Sequence, residues 1–421
     1  MADVVTDVSK LNGWFKSKHG TFQDNIPDVA KFTGGLAFTK AQRVGRNFNF
    51  PVELSLPQGV TYAAAGAGAF DFEDAVAGEM KEATIDGSQI VVQDVLDYES
   101  AAKAVAEGDE AYGDAGERMV RRMRKSGHKR IELSAWYGQT TLGKVGAAST
   151  SGSTRVLTIS DDTWAAGIWT GMKNMKLDVD TDGTFATQIN TNAAMTITKV
   201  DVANKQITVS GADYASILAG HYLVPRNSVT FGGTPAHKQM AGLDKIITNT
   251  GTLFGISASD YELWAGNSFA VGSVPLTLKK VNDAVCDPVS KGLDEEATVW
   301  VSTRTWGNLC SDQAAMRKYD AQYTSSKATN GFRALTMFSQ NGELKIMPHT
   351  IIKEGEAWIA TTERFLKIGA QDLGFNVPGR GEQYFENLSA KAGYRLMAYA
   401  HLAIICGAPG MCTKLTGIVN S

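Results

Sequence analysis

The sequence predicts an α+β protein with parts that reach beyond its compact cores, and three observations carry that prediction. A single helical stripe of small and apolar residues runs from Tyr98 to about Lys125. Short runs with the two-residue period of strands fill most of the remainder. Several apolar stretches also lie in segments too extended to bury them alone, so neighbouring molecules are expected to cover them.

Residues 1–45 are polar and glycine-dotted, with isolated aromatics at Trp14, Phe15, Phe22 and Phe32. They read as an N-terminal arm with anchor points. Residues 46–97 follow as an extended hairpin. Phe48, Phe50, Val52, Leu54 and Leu56 alternate as one strand, "SQIVVQDVL" at 88–96 reads as the other, and the Ala/Gly tract 63–69 interrupts them. In 98–149 the positions Ala101, Val105, Gly108, Tyr112, Ala115, Met119 and Met123 form one helical stripe. Acids in its first half and bases from Arg118 to Lys125 suit a helix dipole ending there, about 40 Å from its start. Residues 150–235 read as a small β insertion with a hairpin near 201–205. Residues 236–421 return to mixed structure: "ATVWVSTRTWGNL" is a strand entering a helix, and Asn341-Gly342 marks a hairpin turn.

Length and composition narrow the function. At about 150 residues per domain, 421 residues allow two or three domains with real cores. Hydrophobic residues make up 43% and charged ones 20%, against about a quarter charged in ordinary domains, which fits a surface partly covered by partners. A net charge of −3 and a pI near 6.1 speak against a dedicated nucleic-acid binder. "MADVVTDVSKLNGWF" lacks the basic start and apolar core of a signal peptide, and no apolar run is long enough to suggest a membrane span. Cys286, Cys310, Cys406 and Cys412 fit no zinc spacing and read as thiols of a reducing cytoplasm.

The motifs that could carry chemistry each lack a part. "GQTTLGKV", Gly138 to Val145, nearly matches a phosphate-cradling loop, yet Val145 stands where the magnesium ligand belongs. Asp178, Asp180, Asp182 and Gly183 open like a calcium loop, but its twelfth position is Ile189 instead of Glu. A bound cation there is left open. Ser257 in "GISAS" misses the closing glycine of a nucleophile elbow. The six histidines form no spaced ligand set. Arg118 to Arg130 is a basic cluster, read as a helix C-terminus with at most nonspecific phosphate contact. No catalytic, cofactor-binding or metal-binding residues are therefore assigned. An arm, an unsupported hairpin and a strut-like helix instead suit an assembly protein.

"GLDKIITNTGTLFGISASDYELWAGN", Gly242 to Asn267, carries Gly242-Leu243-Asp244, Gly251-Thr252, Gly255-Ile256 and Trp264. This stretch resembles a signature of tailed-bacteriophage major capsid proteins with the Hong Kong 97 fold, with Phe254 replacing the first of two glycines. The order of arm, hairpin, helix and later segments, ending in "GYRLMAYAHLAIICGAPGMCTKLTGI", is similar to that family over most of the chain. The resemblance implies a Hong Kong 97-like capsid fold: an N-terminal arm (1–45), an E-loop (46–97), a spine helix with part of a peripheral domain (98–149), the β insertion domain (150–235), and an axial domain with the rest of the peripheral domain (236–421). It implies no enzymatic activity. Copies would form hexamers and pentamers of an icosahedral shell around double-stranded DNA, assembled in the bacterial cytoplasm, with portal, scaffolding and cement or decoration proteins as further partners. Some members crosslink through a lysine on the hairpin. Lys81 lies in a comparable region, with no identified partner. Tyr261 and Trp264 are expected to anchor the turn against the core or a neighbouring subunit.

Two other readings compete. An encapsulin-type compartment would keep the fold, and the insertion and extra length weigh against it. A hydrolase or carbohydrate-binding protein with a β accessory domain would make Ser257 its nucleophile, but lacks an acid/base pair.

Overall fold

Phe32 is 1% exposed and packs its ring against Trp136, Trp300 and Phe365, pinning the start of the described chain into the centre of the molecule. The structure is a computed structural model and describes residues 30–40, 48–99, 109–317, 335–340, 342–375, 385–388 and 392–420. Trp14, Phe15 and Phe22 lie outside these. After Phe32 the chain adds a short strand, β1 (Phe38–Lys40).

Strands β2 (Phe48–Glu53) and β3 (Met80–Ile85) pair antiparallel, Phe48 with Ile85 through Glu53 with Met80. The strand-like run 88–96 predicts the return strand of this hairpin, and the structure corrects this. Strand β4 (Ser88–Asp97) leaves the hairpin and pairs with a C-terminal strand. "MKEATI" has few apolar side chains, but Ala83 and Ile85 supply the buried face that β2 needs.

Helix α1 (Asp109–Tyr137) has 29 residues, about 44 Å at 1.5 Å per residue. It runs well past the expected end near Lys125. Ser126-Gly127 looks like a stop, yet a Cβ at Gly127 would stand 2.6 Å from the Leu373 side chain, so this glycine serves close packing within the helix. The last turn carries no base, so the basic cluster lies mid-helix and the dipole argument for it fails. Met119 and Met123 pack on Leu396 and Ala398, while Ile131 to Tyr137 are buried on every side.

Strands β5 (Gly143–Ser151), β6 (Thr154–Ile159), β7 (Lys176–Asp180), β8 (Met195–Asp201), β9 (Gln206–Ser210) and β10 (Tyr222–Pro225) close into a barrel in the order β10-β5-β6-β9-β8-β7. Closure removes free strand edges. Leu157, Leu177, Val179, Ile197, Ile207, Val209 and Leu223 are fully buried, as a small barrel filled by its own side chains requires. The barrel opens at Gly143, ahead of the expected 150, because "GKVGAASTS" carries too little apolar character to read as a strand. It is welded to the body. Gly167 N–H donates to Thr350 O at 2.9 Å, and Lys205 bridges Asp161 and Glu354, each at 2.9 Å.

The rest builds two sheets. Short pairs come first: β11 (Val229–Thr230) with β12 (Ala236–His237), then, after α2 (Leu243–Ile247), β13 (Thr252–Leu253) with β14 (Ile256–Ser257). Next come β15 (Asn267–Val274), β16 (Ala297–Val301), α3 (Thr303–Arg317), β17 (Leu335–Ser339), β18 (Gly342–Pro348) and β19 (Glu356–Ala360). The chain closes with β20 (Phe365–Gly374), β21 (Phe385–Asn387), β22 (Gly393–Cys406) and β23 (Thr413–Ile418). One sheet runs β15-β23-β19-β16-β18-β17; the other runs β1-β20-β22-β21, with β4 also on β22. In the β17–β18 hairpin Ser339 pairs with Gly342, so Gly342, at φ +103°, opens the return strand. Asn341 lies outside the described residues.

The sheets, α1 and the arm meet around Glu132. Its buried carboxylate accepts from Phe32 N–H at 3.0 Å, Thr33 N–H at 2.9 Å, Thr33 Oγ1 at 2.5 Å and Trp136 Nε1 at 3.1 Å. Nearby, the Lys414 ammonium lies 2.7 Å from Asp244 and 2.9 Å from Glu356, above the Trp358 ring. A buried ion pair needs such multiple partners to offset desolvation. Here burial drives the Lys414 pKa down, and the two carboxylates more than reverse it, raising it.

Candidate functional site

Beyond the six paired residues of each strand, the hairpin continues as two chains running side by side into solvent. Leu54 N–H donates to Glu79 O at 2.9 Å and Gln58 N–H to Val76 O at 3.1 Å. Glu73 N–H reaches Thr61 Oγ1 at 2.9 Å. A Cβ at Gly78 would stand 2.6 Å from Ser55 O, so glycine is what lets the chains lie this close. The tip turns at Ala64–Ala67, closed by Ala67 N–H to Ala64 O at 3.0 Å, with Gly66 at φ +80°.

This excursion exposes what proteins usually hide. Tyr62 is 91% exposed, Phe72 83% and Leu56 70%, with Val60, Phe70 and Val76 also open. Phe70 and Phe72 meet edge-on at 5.8 Å and cover one another only in part. So many large apolar groups on one projection mark a surface meant to be covered. The aromatics flanking the Ala/Gly tract, Tyr62, Phe70 and Phe72, are the sequence signal for this, and only the structure shows them to be uncovered.

The root is held by the stretch 253–267. Thr84 N–H donates to Phe254 O at 2.8 Å. The Tyr261 hydroxyl donates to Glu79, and the Lys81 ammonium lies 3.8 Å from Glu79 and 5.8 Å from the Tyr261 ring centroid. Tyr261, with Glu79 beside it, raises the Lys81 pKa. Lys81 is thus engaged within its own chain at the hairpin's root. Phe254 at φ +55° and Gly255 at φ +81° make the tight primed turn between β13 and β14. Trp264 is buried in the core and donates from Nε1 to Leu253 O at 3.3 Å. Tyr261 and Trp264 therefore divide the work: one grips the hairpin, the other the core. Asn267, unremarked in the sequence, donates to Gly410 O at 2.6 Å and Cys412 O at 3.1 Å, fixing the turn before β23. The signature residues have physical reasons too. A Cβ at Gly242 would stand 2.5 Å from Gly138 N, and Asp244 is the Lys414 partner.

The acidic side chains of the calcium-like stretch are held by hydrogen bonds within the chain. Asp178 receives Arg226 at 2.6 Å, Asn227 N–H at 3.0 Å, Gln188 at 3.1 Å and Asn190 at 3.2 Å. Asp180 accepts from Gly183 and Phe185 N–H, and Asp182 caps Thr184. Among the described residues, no three His, Cys, Asp or Glu side chains gather as a metal site. Ser257 Oγ lies 2.8 Å from Ser259 Oγ, a partner that is no general base. Gly138–Val145 leads into strand β5, where a phosphate loop needs a helix N-terminus. In the basic cluster Lys129 is buried and donates to Thr170 O at 2.5 Å, while Arg121, Arg122 and Arg124 face outward. The side chain of Arg118 is outside the described set. No described helix is long and apolar enough to cross a membrane.

No family model matches the chain, and no curated protein does. Among solved structures, the cyanophage A-1(L) capsid asymmetric unit superposes with a TM-score of 0.54 at 10% identity, covering 95% of this chain and 96% of the other. The capsid of a native GTA particle gives 0.48 at 9% identity, over 99% and 100%. The SrpI encapsulin complex from Synechococcus elongatus gives 0.40 at 8% identity, over 99% and 96%. Of these three, the first alone exceeds 0.5, and at 10% identity it speaks for the fold. The chain shares the fold seen in the cyanophage A-1(L) capsid.

Proposed function

We propose that this chain is the major capsid protein of a tailed phage, built on the Hong Kong 97 plan. The β2–β3 hairpin and its tip are the extended loop and α1 is the spine helix. The five-stranded sheet with α1 is the peripheral domain, the six-stranded sheet the axial domain, and the barrel an insertion. The observation that carries this reading is the projecting hairpin with its uncovered Leu56, Tyr62, Phe70 and Phe72. Such a feature is unstable alone and is satisfied by lying on another copy of the same fold. Each subunit is then held by several neighbours at once, so modest contacts sum to a stable lattice. Hexamers and pentamers of the chain would close into a shell around double-stranded DNA in the host cytoplasm. Portal, scaffolding and decoration proteins would be its further partners, and chemistry would have no part in its work.

Electron microscopy of the chain expressed alone, with sedimentation of the same sample, tests this. Rings, tubes or closed particles support it, and a persistent monomer at high concentration opposes it. A compartment shell would use the same contacts, and the particles' contents, DNA or enzyme, tell the two apart.

A further inference from the structure

Between α1, β4 and the foot of the barrel lies a cavity of about 740 Å³ that the assembly reading leaves without a role. Its charged lining is of one sign: Arg130, Lys176, Arg226 and Lys238 face it, and among the described residues no Asp or Glu does. Arg226 is already paired with Asp178 at 2.6 Å. Arg130 is not neutralised in this way. Its Nη1 lies 3.5 Å from the Met175 sulfur, a weak acceptor, and burial lowers the guanidinium's pKa. Lys176 and Lys238 sit at the exposed rim. Ser126, Arg130 and Ser134 recur every four residues of α1 and all line the cavity, so one helix face offers hydroxyl and guanidinium donors together.

A concave site with several unneutralised cations and no acid favours an anion with more than one oxygen. We propose that the cavity binds a phosphate group, with Arg130 as the deep fork and Lys176 and Lys238 as the closing charges. A planar guanidinium suits the paired oxygens of phosphate, and the two ammonium groups act as point charges at the mouth. The volume falls within the range of about 300–1,000 Å³ usual for small-ligand sites. Inorganic phosphate and the backbone phosphate of a nucleic acid present the same chemistry, and the test separates them.

The full-length chain is titrated calorimetrically at low salt with inorganic phosphate and, separately, with a ten-nucleotide single-stranded DNA. The proposal expects one saturable site per chain for at least one probe. The double variant Lys176→Gln/Lys238→Gln should weaken it about tenfold or more without moving the unliganded melting temperature, and Arg130→Gln should abolish it. Saturation by phosphate alone assigns a free anion, whereas oligonucleotide binding that phosphate displaces assigns a nucleic-acid backbone. Absence of saturable binding with both probes would overturn the proposal. So would binding that survives the double lysine variant unchanged, a test that does not depend on how Arg130→Gln folds. The binding is read per chain in any assembled state, so its failure leaves the shell reading untouched.

Discussion

The Glu132 carboxylate lies 3.0 Å from His349 Nε2, and neither side chain has any exposure to solvent. With Phe32 and Thr33 on the same carboxylate, this contact joins the arm, α1 and the segment after β18 at one point. Burial pushes the Glu132 carboxyl up, but the hydrogen bonds from His349 and Thr33 outweigh it, so its pKa is lowered from the usual 4.5. A carboxyl depressed in the folded state adds stability that is present above its unfolded value and lost as pH falls through its folded one. Glu132→Gln turns an NH2 group toward donors and should cost about 3 kcal/mol at pH 7. Denaturant titrations at pH 7 and below 4.5 should show this cost shrinking in acid. An equal cost at both would refute the pKa argument.

Lys129 lowers stability where Glu132 raises it, and its effect changes in an alkaline window. Burial, aided by repulsion from Arg130, lowers its pKa from 10.5 to about 8. Below pH 8 both folded and unfolded chains carry the charge and the full burial penalty applies. It fades as pH rises from 8 to 10.5. Lys129→Met should therefore stabilise the chain by about 1–2 kcal/mol at pH 7, less than the full penalty because Thr170 O loses its donor. The gain should dwindle by pH 10. Melting curves of both proteins at the two pH values check this.

Phe254 holds a left-handed backbone that costs a non-glycine residue about 1–2 kcal/mol, while its half-buried ring packs on the core. Removing the ring and relieving the backbone should nearly cancel, so Phe254→Gly is expected within about 1 kcal/mol of wild type. Phe254→Val keeps the strain, adds a β-branch and loses contacts, and should cost about 2–3 kcal/mol. Chemical denaturation ranks the pair; the reverse order would contradict the turn assignment.

Cys406 and Cys412 face one another at 4.0 Å, both buried, whereas Cys286 and Cys310 are partly open. Burial drives the Cys406 thiol well above its ordinary value. A thiol reagent at pH 8 should label two cysteines in the native protein and the other two only on unfolding. Peptide mapping identifies them.

What the sequence shows and hides follows from how local each cause is. The β16–α3 step, the barrel strands β6, β8 and β9, and the place of Trp264 were legible because period and turn residues act over a few positions. The hairpin's true partner strand was not, since Ala83 and Ile85 are weak signals beside Ile90, Val91 and Val92, which the distant β22 claims. The end of α1 was not legible because the bases that suit a C-terminus near Lys125 lie mid-helix, and Leu373, far along the chain, packs on Gly127 just beyond them. The partners of Asp178 were not legible, because Arg226 and Asn227 N–H reach it from nearly fifty positions away, whereas Asp180 takes the local N–H groups of Gly183 and Phe185. Glu132 and His349 carried no spacing signal at all, being 217 positions apart.

The central claim concerns the uncovered hairpin. The deletion to make spares β3: residues 57–76 are replaced by a short Gly-Ser linker, and sedimentation with electron microscopy is run beside wild type. Wild type is expected to give rings or particles, and the variant to melt within a few degrees of it yet sediment as a single subunit. A variant that still forms wild-type particles would contradict the claim.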